Sequence, residues 1–122
     1  MRGKAVPVEC EFLMVRYVPD PVRGESLNVG ILLYCREKRY LGCLFLQDLR
    51  RIRNFHAQAD SQFFRELQRH FKQQIKDHQN DLDAFLREIQ NYSNMIQIAP
   101  PQICIVHDPK AEILRLYERY VT

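Results

Sequence analysis

Residues 10–46 read CEFLMVRYVPDPVRGESLNVGILLYCREKRYLGCLFL, and this stretch decides the fold. Three apolar segments, 10–18, 27–35 and 40–46, have the length and composition of β-strands. The first two are apolar on both faces, which is typical of strands inside a sheet. The pattern therefore predicts a sheet whose first two strands are interior and are joined by a polar connector.

The charged segment 36–39 predicts the register between the second and third strands. A loop of either two or four residues there places Cys35 opposite Tyr40 and Gly30 opposite Phe45. An aromatic ring across from a strand glycine covers exposed backbone and stabilises the strand pair. We therefore predict a structural role for Gly30.

Helical periodicity follows these strands. Apolar residues recur every three or four positions in 49–55, in 61–89 and after Pro109. The segment DHQND at 77–81 is poor helix material, so 61–89 is expected to form two helices, or one that breaks near Asn80. The expected N-caps are the pair Gln47-Asp48, then Asp60 or Ser61, Asp81, and Asp108.

The segment 95–106 alternates apolar and polar residues around Pro100 and Pro101. It predicts one or two short strands at a sheet edge, where the missing donor of proline costs least. No linker, repeat or low-complexity tract divides the chain. The predicted fold class is a single α+β domain over residues 1–122, with a small, mostly antiparallel sheet of three to five strands packed against two to four helices.

The composition is 46% hydrophobic and 27% charged, as in soluble globular proteins, and the net charge of +3 neither requires nor excludes an anionic partner. No apolar run is long enough for a membrane span, and residues 1–7 lack the apolar core of a signal peptide. We therefore expect a cytoplasmic protein without a membrane partner. The four cysteines, Cys10, Cys35, Cys43 and Cys104, are expected to be buried, reduced thiols.

The connector 16–30 concentrates polar residues between the two interior strands. Its segment 20–23, Asp-Pro-Val-Arg, is typical of a type I turn, and Gly24 can adopt positive φ directly after it. Pro19 and Pro21 push the residues before them toward extended geometry. The connector is therefore predicted to be rigid.

Two interpretations of this connector stay open. In the first it is structural only, and Arg16 forms an ion pair with Glu25 while Asn28 hydrogen-bonds the loop. In the second, acidic and amide groups hold the loop while two arginines bind a phosphate or carboxylate, because a planar guanidinium matches two oxygens at once. The candidate binding residues are Arg16, Asp20, Arg23, Glu25 and Asn28, with Pro19, Gly24 and Gly30 as structural positions.

Metal and nucleophile motifs are incomplete. The segment 28–30 lacks the acid and lysine of a nuclease magnesium site, and Cys104 and His107 would face opposite sides of a strand. His70 and His78 do not have the i, i+4 spacing of a helical zinc site. We therefore predict no metal, no cofactor and no assigned catalytic residue.

A basic patch is a further candidate site. Arg50, Arg51 and Arg53 on the short helix could join the charged turn 36–39 if both project to one side, and such a patch would suit nucleic-acid phosphates. A solvated charged surface is the favoured interpretation, because charged hairpin turns protect sheets against aggregation and no aromatic residues interleave these charges.

Two motifs resemble a known family. VRYVPDPVRGESLNVGILLY at 15–34 and DPKAEILRLYERYV at 108–121 closely resemble the bacterial domain-of-unknown-function family 3037 (DUF3037). The first motif is long and chemically unusual, whereas the second is a capped amphipathic helix that supports it. The family's signature positions fall on Arg16, Tyr17, Pro19, Asp20, Arg23, Gly24, Glu25, Asn28, Val29 and Gly30.

The resemblance implies a small cytoplasmic bacterial protein without a settled activity, often encoded beside a HipA-like kinase of the type found in some toxin–antitoxin systems. We therefore expect a non-enzymatic accessory protein that binds a protein partner, such a kinase being the first candidate, through the loop Arg16–Gly30. The alternatives are a phosphate- or nucleotide-binding enzyme that uses Arg16, Arg23 and Glu25, and a weak nucleic-acid binder. The oligomeric state stays open.

Overall fold

The computed structural model describes residues 6–90 and 92–122, and within them the chain forms a five-stranded antiparallel sheet and four helices. The strands are β1 (Val8–Tyr17), β2 (Leu27–Cys35), β3 (Tyr40–Phe45), β4 (Ile96–Ile98) and β5 (Gln102–Val106). The helices are α1 (Leu49–Phe55), α2 (Ser61–Asp77), α3 (Leu82–Ile89) and α4 (Pro109–Tyr120). The predicted α+β fold, with its antiparallel sheet, is confirmed.

The order of the strands places β1 and β2 inside the sheet. β2 lies between β3 and β1, and the other side of β1 pairs with both β4 and β5. β5 lies beside the start of β1 and β4 beside its end. The segment 29–35 of β2 is buried throughout, which agrees with the apolar sequence of that strand.

The predicted register between β2 and β3 is confirmed, with Cys35 opposite Tyr40 and Gly30 opposite Phe45. The turn that joins the strands is a short 3-10 helix followed by Arg39 at φ 51°. A Cβ atom at Gly30 would lie 2.6 Å from a ring carbon of Phe45. Only glycine lets the ring pack this closely on the backbone.

Helices cover both faces of the sheet. Tyr17 packs edge-on against Phe55 and Phe64, so α1 and α2 lie on one face. Phe12 stacks on Tyr120, so α4 lies on the other face, because residues 12 and 17 of a strand point in opposite directions. No helix in the described part of the chain is long and apolar enough to cross a membrane.

Each helix begins after an aspartate. The carboxylates of Asp48, Asp60, Asp81 and Asp108 accept hydrogen bonds from backbone N–H groups of the first turn. Asp81 begins a new helix after a break, so the segment 61–89 forms two helices, which is one of the two predicted outcomes.

The prediction of four reduced cysteines is wrong for one pair. Cys10 and Cys35 form a disulfide, with a Cα–Cα distance of 4.6 Å. They lie directly opposite each other on neighbouring strands, at a separation that a bridge can span. This juxtaposition depends on the β1–β2 register, which the sequence pattern did not specify. Cys43 and Cys104 are free thiols.

Candidate functional site

The connector between β1 and β2 is a loop that bonds to itself. Oδ1 of Asp20 accepts hydrogen bonds from the backbone N–H groups of Val22 (3.1 Å) and Arg23 (3.4 Å). A type I turn would also close a backbone bond at Arg23, but the carbonyl of Asp20 instead accepts one from Gly24, at 3.0 Å. Gly24 has φ 81°, the positive value that the sequence predicted.

The carboxylate of Glu25 pairs with Arg23. Nε of Arg23 lies 2.7 Å from Oε1 of Glu25, and the two side chains are 72% and 62% exposed. The expected pair between Arg16 and Glu25 is wrong. Glu25 lies on the side of α1 together with Phe55, whereas Arg16 faces α4.

A cleft of about 450 Å³ lies between this loop and the end of α1. The hydroxyl of Tyr17 lies 2.7 Å from Nδ1 of His56, which lines this cleft. Tyr17 is buried, and this burial raises the pKa of its hydroxyl, so the group stays neutral and able to hydrogen-bond at ordinary pH. The residues that line the cleft are Pro19, Asp20, Arg23, Glu25, Phe55 and His56.

His56 reaches the cleft because α1 ends there. Its backbone N–H donates to the carbonyl of Ile52 at 2.8 Å, which closes the last turn of the helix. Ile52 is buried, and Phe55 packs edge-on against Tyr17, so the helix is anchored directly beside β1. From the sequence, His56 is a loop residue without a motif. Its role in this cleft depends on how α1 docks, and no local pattern predicts that.

Arg16 and Asn28 lie on the other face of the sheet. They pair across β1 and β2, and Gln97 of β4 lies beside Arg16. Asn28 Nδ2 donates a 3.0 Å hydrogen bond to the carbonyl of Tyr120, so the expectation that Asn28 bonds the loop is wrong. Arg16 is half-buried, and within residues 6–90 and 92–122 its guanidinium has neither an ion-pair nor a hydrogen-bond partner.

The structure therefore divides the predicted set of binding residues. Asp20, Arg23 and Glu25 share one cleft, whereas Asn28 bonds the end of α4 on the opposite face and Arg16 is its cross-strand neighbour there. A single site that uses both arginines is not formed. Arg16 is next to Tyr17 on β1, and adjacent strand residues point to opposite faces, so Arg16 points away from the face on which Tyr17 and the cleft lie.

The basic residues are separated as well. Arg50, Arg51 and Arg53 are exposed on α1, and Nε of Arg50 lies 3.2 Å from Oδ1 of Asp48. The turn 36–39 precedes β3 and α1 follows it, so the two groups lie at opposite ends of a strand roughly 20 Å long. They do not form a joint patch.

A larger cavity, of about 540 Å³, lies between the turn and the connection of α2 to α3. It contains no residue of the β1–β2 connector. Arg36 at its rim lies over the ring of Tyr34 and 3.6 Å from Asp83, so its charge is already engaged. In the described part of the chain, no group of three or more His, Cys, Asp or Glu side chains could hold a metal ion.

Comparison with protein families matches residues 12–121 to a family described as "Protein of unknown function (DUF3037)". Comparison with curated proteins and with solved structures found no match. The matched region includes β1 from Phe12 onward, the connector, the residues of the cleft and α4. Since the match covers nearly the whole chain, the chain belongs to the DUF3037 family.

Proposed function

We propose that this protein is a non-enzymatic binding module that recognises an acidic or phosphorylated group of a protein partner. The group would bind in the cleft between the connector and α1. The observation that carries this proposal is the state of Arg23. Its Nε pairs with Glu25, while its terminal nitrogens have no partner among the described residues and the side chain is 72% exposed.

The cleft contains two carboxylates, of Asp20 and Glu25, and one guanidinium, of Arg23, so an anionic ligand depends on the bonds that hold both acids within the loop. The carboxylate of Asp20 accepts two backbone N–H bonds, and that of Glu25 is paired with Arg23. Both acids therefore act within the loop. Because Nε of Arg23 is paired with Glu25, the two terminal nitrogens of the guanidinium are left to donate hydrogen bonds to a ligand. Two such donors suit the two oxygens of a carboxylate or phosphate.

His56 supplies a second polar group to the cleft. Its Nδ1 is held by Tyr17, and its Nε2 has no partner within residues 6–90 and 92–122. A ring fixed at one nitrogen presents the other in a set direction, which lowers the entropic cost of binding. Together, His56 and Arg23 would contact one anionic group from two sides.

An exposed apolar residue favours a protein as the partner. Val22 stands next to Arg23 at the tip of the loop and is 98% exposed. A small anion would leave it in water, whereas a protein surface would bury it beside the charged contact. We therefore favour a protein that carries an acidic or phosphorylated residue next to an apolar pocket.

The first candidate partner is a HipA-like kinase in a bacterial cytoplasm, as the resemblance to the family implies. The test measures binding of the purified chain to such a kinase from the same genome, in phosphorylated and dephosphorylated forms, by isothermal titration calorimetry. We expect Arg23→Glu to weaken binding by about tenfold or more, because it replaces a charge-assisted contact with repulsion.

Arg69→Glu is the matched control, since it makes the same charge change on the exposed surface of α2, away from the cleft. The affinity of this variant for the kinase should equal that of the unmodified chain. Affinity capture from the native host extends the test to other partners. If Arg23→Glu, still folded by circular dichroism, retained every partner with unchanged affinity, the cleft would not be the contact surface.

The cytoplasmic location can be tested separately through Cys10 and Cys35. Reducing compartments keep such cysteines as thiols, whereas oxidising compartments keep the bridge. Cells would be lysed in denaturant with an alkylating reagent, and the chain analysed by mass spectrometry. Alkylation of both cysteines supports the cytoplasm, and an intact bridge places the chain in an oxidising compartment.

A further inference from the structure

β5 forms an open edge of the sheet. One side of it pairs with Val8–Phe12 of β1, and no described strand pairs with its other side. Natural edge strands are usually protected by charged residues, proline or a bulge. The five residues of β5, QICIV, contain no charge and no proline. The unpaired side of β5 is therefore not protected within the strand.

Two large apolar side chains lie on this strand. Ile103 and Ile105 are 65% and 63% exposed, and because they are two residues apart they point to the same face. They form adjacent apolar surface on a strand whose backbone is also open. Such a combination marks an interaction surface.

The backbone of β5 is oriented for pairing. The carbonyl of Met14 in β1 accepts a hydrogen bond from Ala99 on the β4–β5 side of the sheet. The backbone groups of successive strand residues alternate between the two sides of the strand, so Cys10, an even number of positions before Met14, also directs its N–H and C=O groups toward β5. It therefore shares hydrogen bonds with Cys104, which lies directly opposite. The N–H and C=O groups of Ile103 and Ile105 therefore point outward, where they have no strand to bond.

We propose that β5 pairs with β5 of a second copy of this chain, antiparallel and about a two-fold axis at Cys104. In this register Ile103 lies opposite the partner's Ile105, and each of the two symmetric pairs exchanges both backbone hydrogen bonds. The four isoleucines meet on one face. β5 itself carries no charge, so two copies of it bring no like charges together along the new strand pair. Glu9 and Glu11, which lie beside Ile105 and Ile103, belong to β1 and are one strand further from the axis.

The position of β5 keeps this interface separate from the cleft. β5 pairs with the start of β1, whereas the connector follows its end, so the two surfaces lie at opposite ends of one strand. A five-residue edge is small beside the roughly 1,200–2,000 Å² of a standard interface, so the dimer is weak and depends on concentration. It presents two clefts that both remain open.

The test is sedimentation velocity of the full chain from micromolar to high-micromolar concentrations. The unmodified chain is expected to shift from monomer to dimer over this range. Ile105→Lys should remain a monomer, because a lysine on the edge opposes pairing. Leu114→Lys is the matched control, since Leu114 is 55% exposed on α4, and it should dimerise normally.

Cys104 reports the register. In the proposed pairing Cys104 lies opposite the partner's Cys104 in a non-hydrogen-bonded pair, with Cα atoms about 4.5 Å apart. Copper(II)-phenanthroline, at mildly alkaline pH, should remove two protons and two electrons from the two thiols and form a disulfide-linked dimer. Cys104→Ser should abolish this product, whereas Cys43→Ser should keep it.

The outcomes are decisive in both directions. Loss of the dimer in Ile105→Lys, together with a cross-link that needs Cys104, supports the proposal. A monomer at every concentration would overturn it and leave the edge to a strand of another protein. A dimer that Ile105→Lys keeps, or a cross-link that survives in Cys104→Ser, would also overturn it. None of these results depends on Arg23, so they leave the proposed function of the cleft untouched.

Discussion

The side-chain amide of Asn28 donates a 3.0 Å hydrogen bond to the carbonyl oxygen of Tyr120, across 92 positions of the chain. The last carbonyls of a helix have no partner within the helix, so this bond satisfies one of them. It also fixes the end of α4 over the start of β2, next to the stacked rings of Phe12 and Tyr120. A residue of the connector motif therefore secures the terminal helix and does not hold the loop itself.

Asn28→Ala should lower the free energy of unfolding by about 1–2 kcal/mol, because it removes the bond and leaves the Tyr120 carbonyl without its partner. Asn28→Asp should cost at least as much, since a carboxylate would face a carbonyl oxygen. Urea denaturation measures both. Asn54→Ala, at an exposed position of α1, is the control and should change stability by no more than about 0.5 kcal/mol. Equal losses at positions 28 and 54 would contradict the role of Asn28.

Tyr17→Phe should lower stability by about 1 kcal/mol and free the ring of His56, because it deletes the 2.7 Å contact between them. Denaturation gives the first effect, and the NMR resonances of the His56 ring give the second. Tyr117→Phe is the control, since its hydroxyl makes only a 3.4 Å bond to Phe45 and should cost less. An unchanged His56 signal in Tyr17→Phe would show that Tyr17 does not orient the ring.

Gly30→Ala should destabilise the fold by about 1–3 kcal/mol, because the new methyl group would overlap the ring of Phe45 and lie 3.2 Å from the carbonyl of Leu44. Gly42→Ala should cost less, since its closest contact is the far end of the Tyr40 side chain, which can move. Thermal unfolding compares the two. Adding Phe45→Leu to Gly30→Ala should recover part of the loss, and a strictly additive double variant would argue against this contact.

The N-cap of α1 predicts a pH dependence. Hydrogen bonds from Arg50 hold the pKa of Asp48 below its usual value of 3.8. Because the pKa is lower in the folded state, the stabilisation is complete above the unfolded value and is lost as the pH falls through the folded one. The difference in Tm between the unmodified chain and Asp48→Asn should therefore shrink as the solution becomes strongly acidic. A difference that stays constant with pH would show that the charge of Asp48 contributes nothing.

Much of the fold can be predicted from local pattern. The strands at Leu27 and Tyr40, the cap at Asp108 and the break before Asp81 follow from short-range preferences, which act over a few residues. The site is predicted less well. The sequence indicates the connector and its turn at Asp20, but it assigns the wrong partners to Glu25 and Asn28, because those partners lie on elements distant along the chain.

The sequence by itself determined the elements of this protein, their caps, the β2–β3 register and the positive φ of Gly24, since alternation, helical spacing and turn chemistry are local properties. Only the tertiary structure decided that His56 meets Tyr17, that Cys10 meets Cys35, and that Arg16 and Arg23 lie on opposite sides of the sheet. Each of these depends on which strands pair and which face a helix covers. Those choices are made by packing energy summed over the whole chain, and no short segment carries that information.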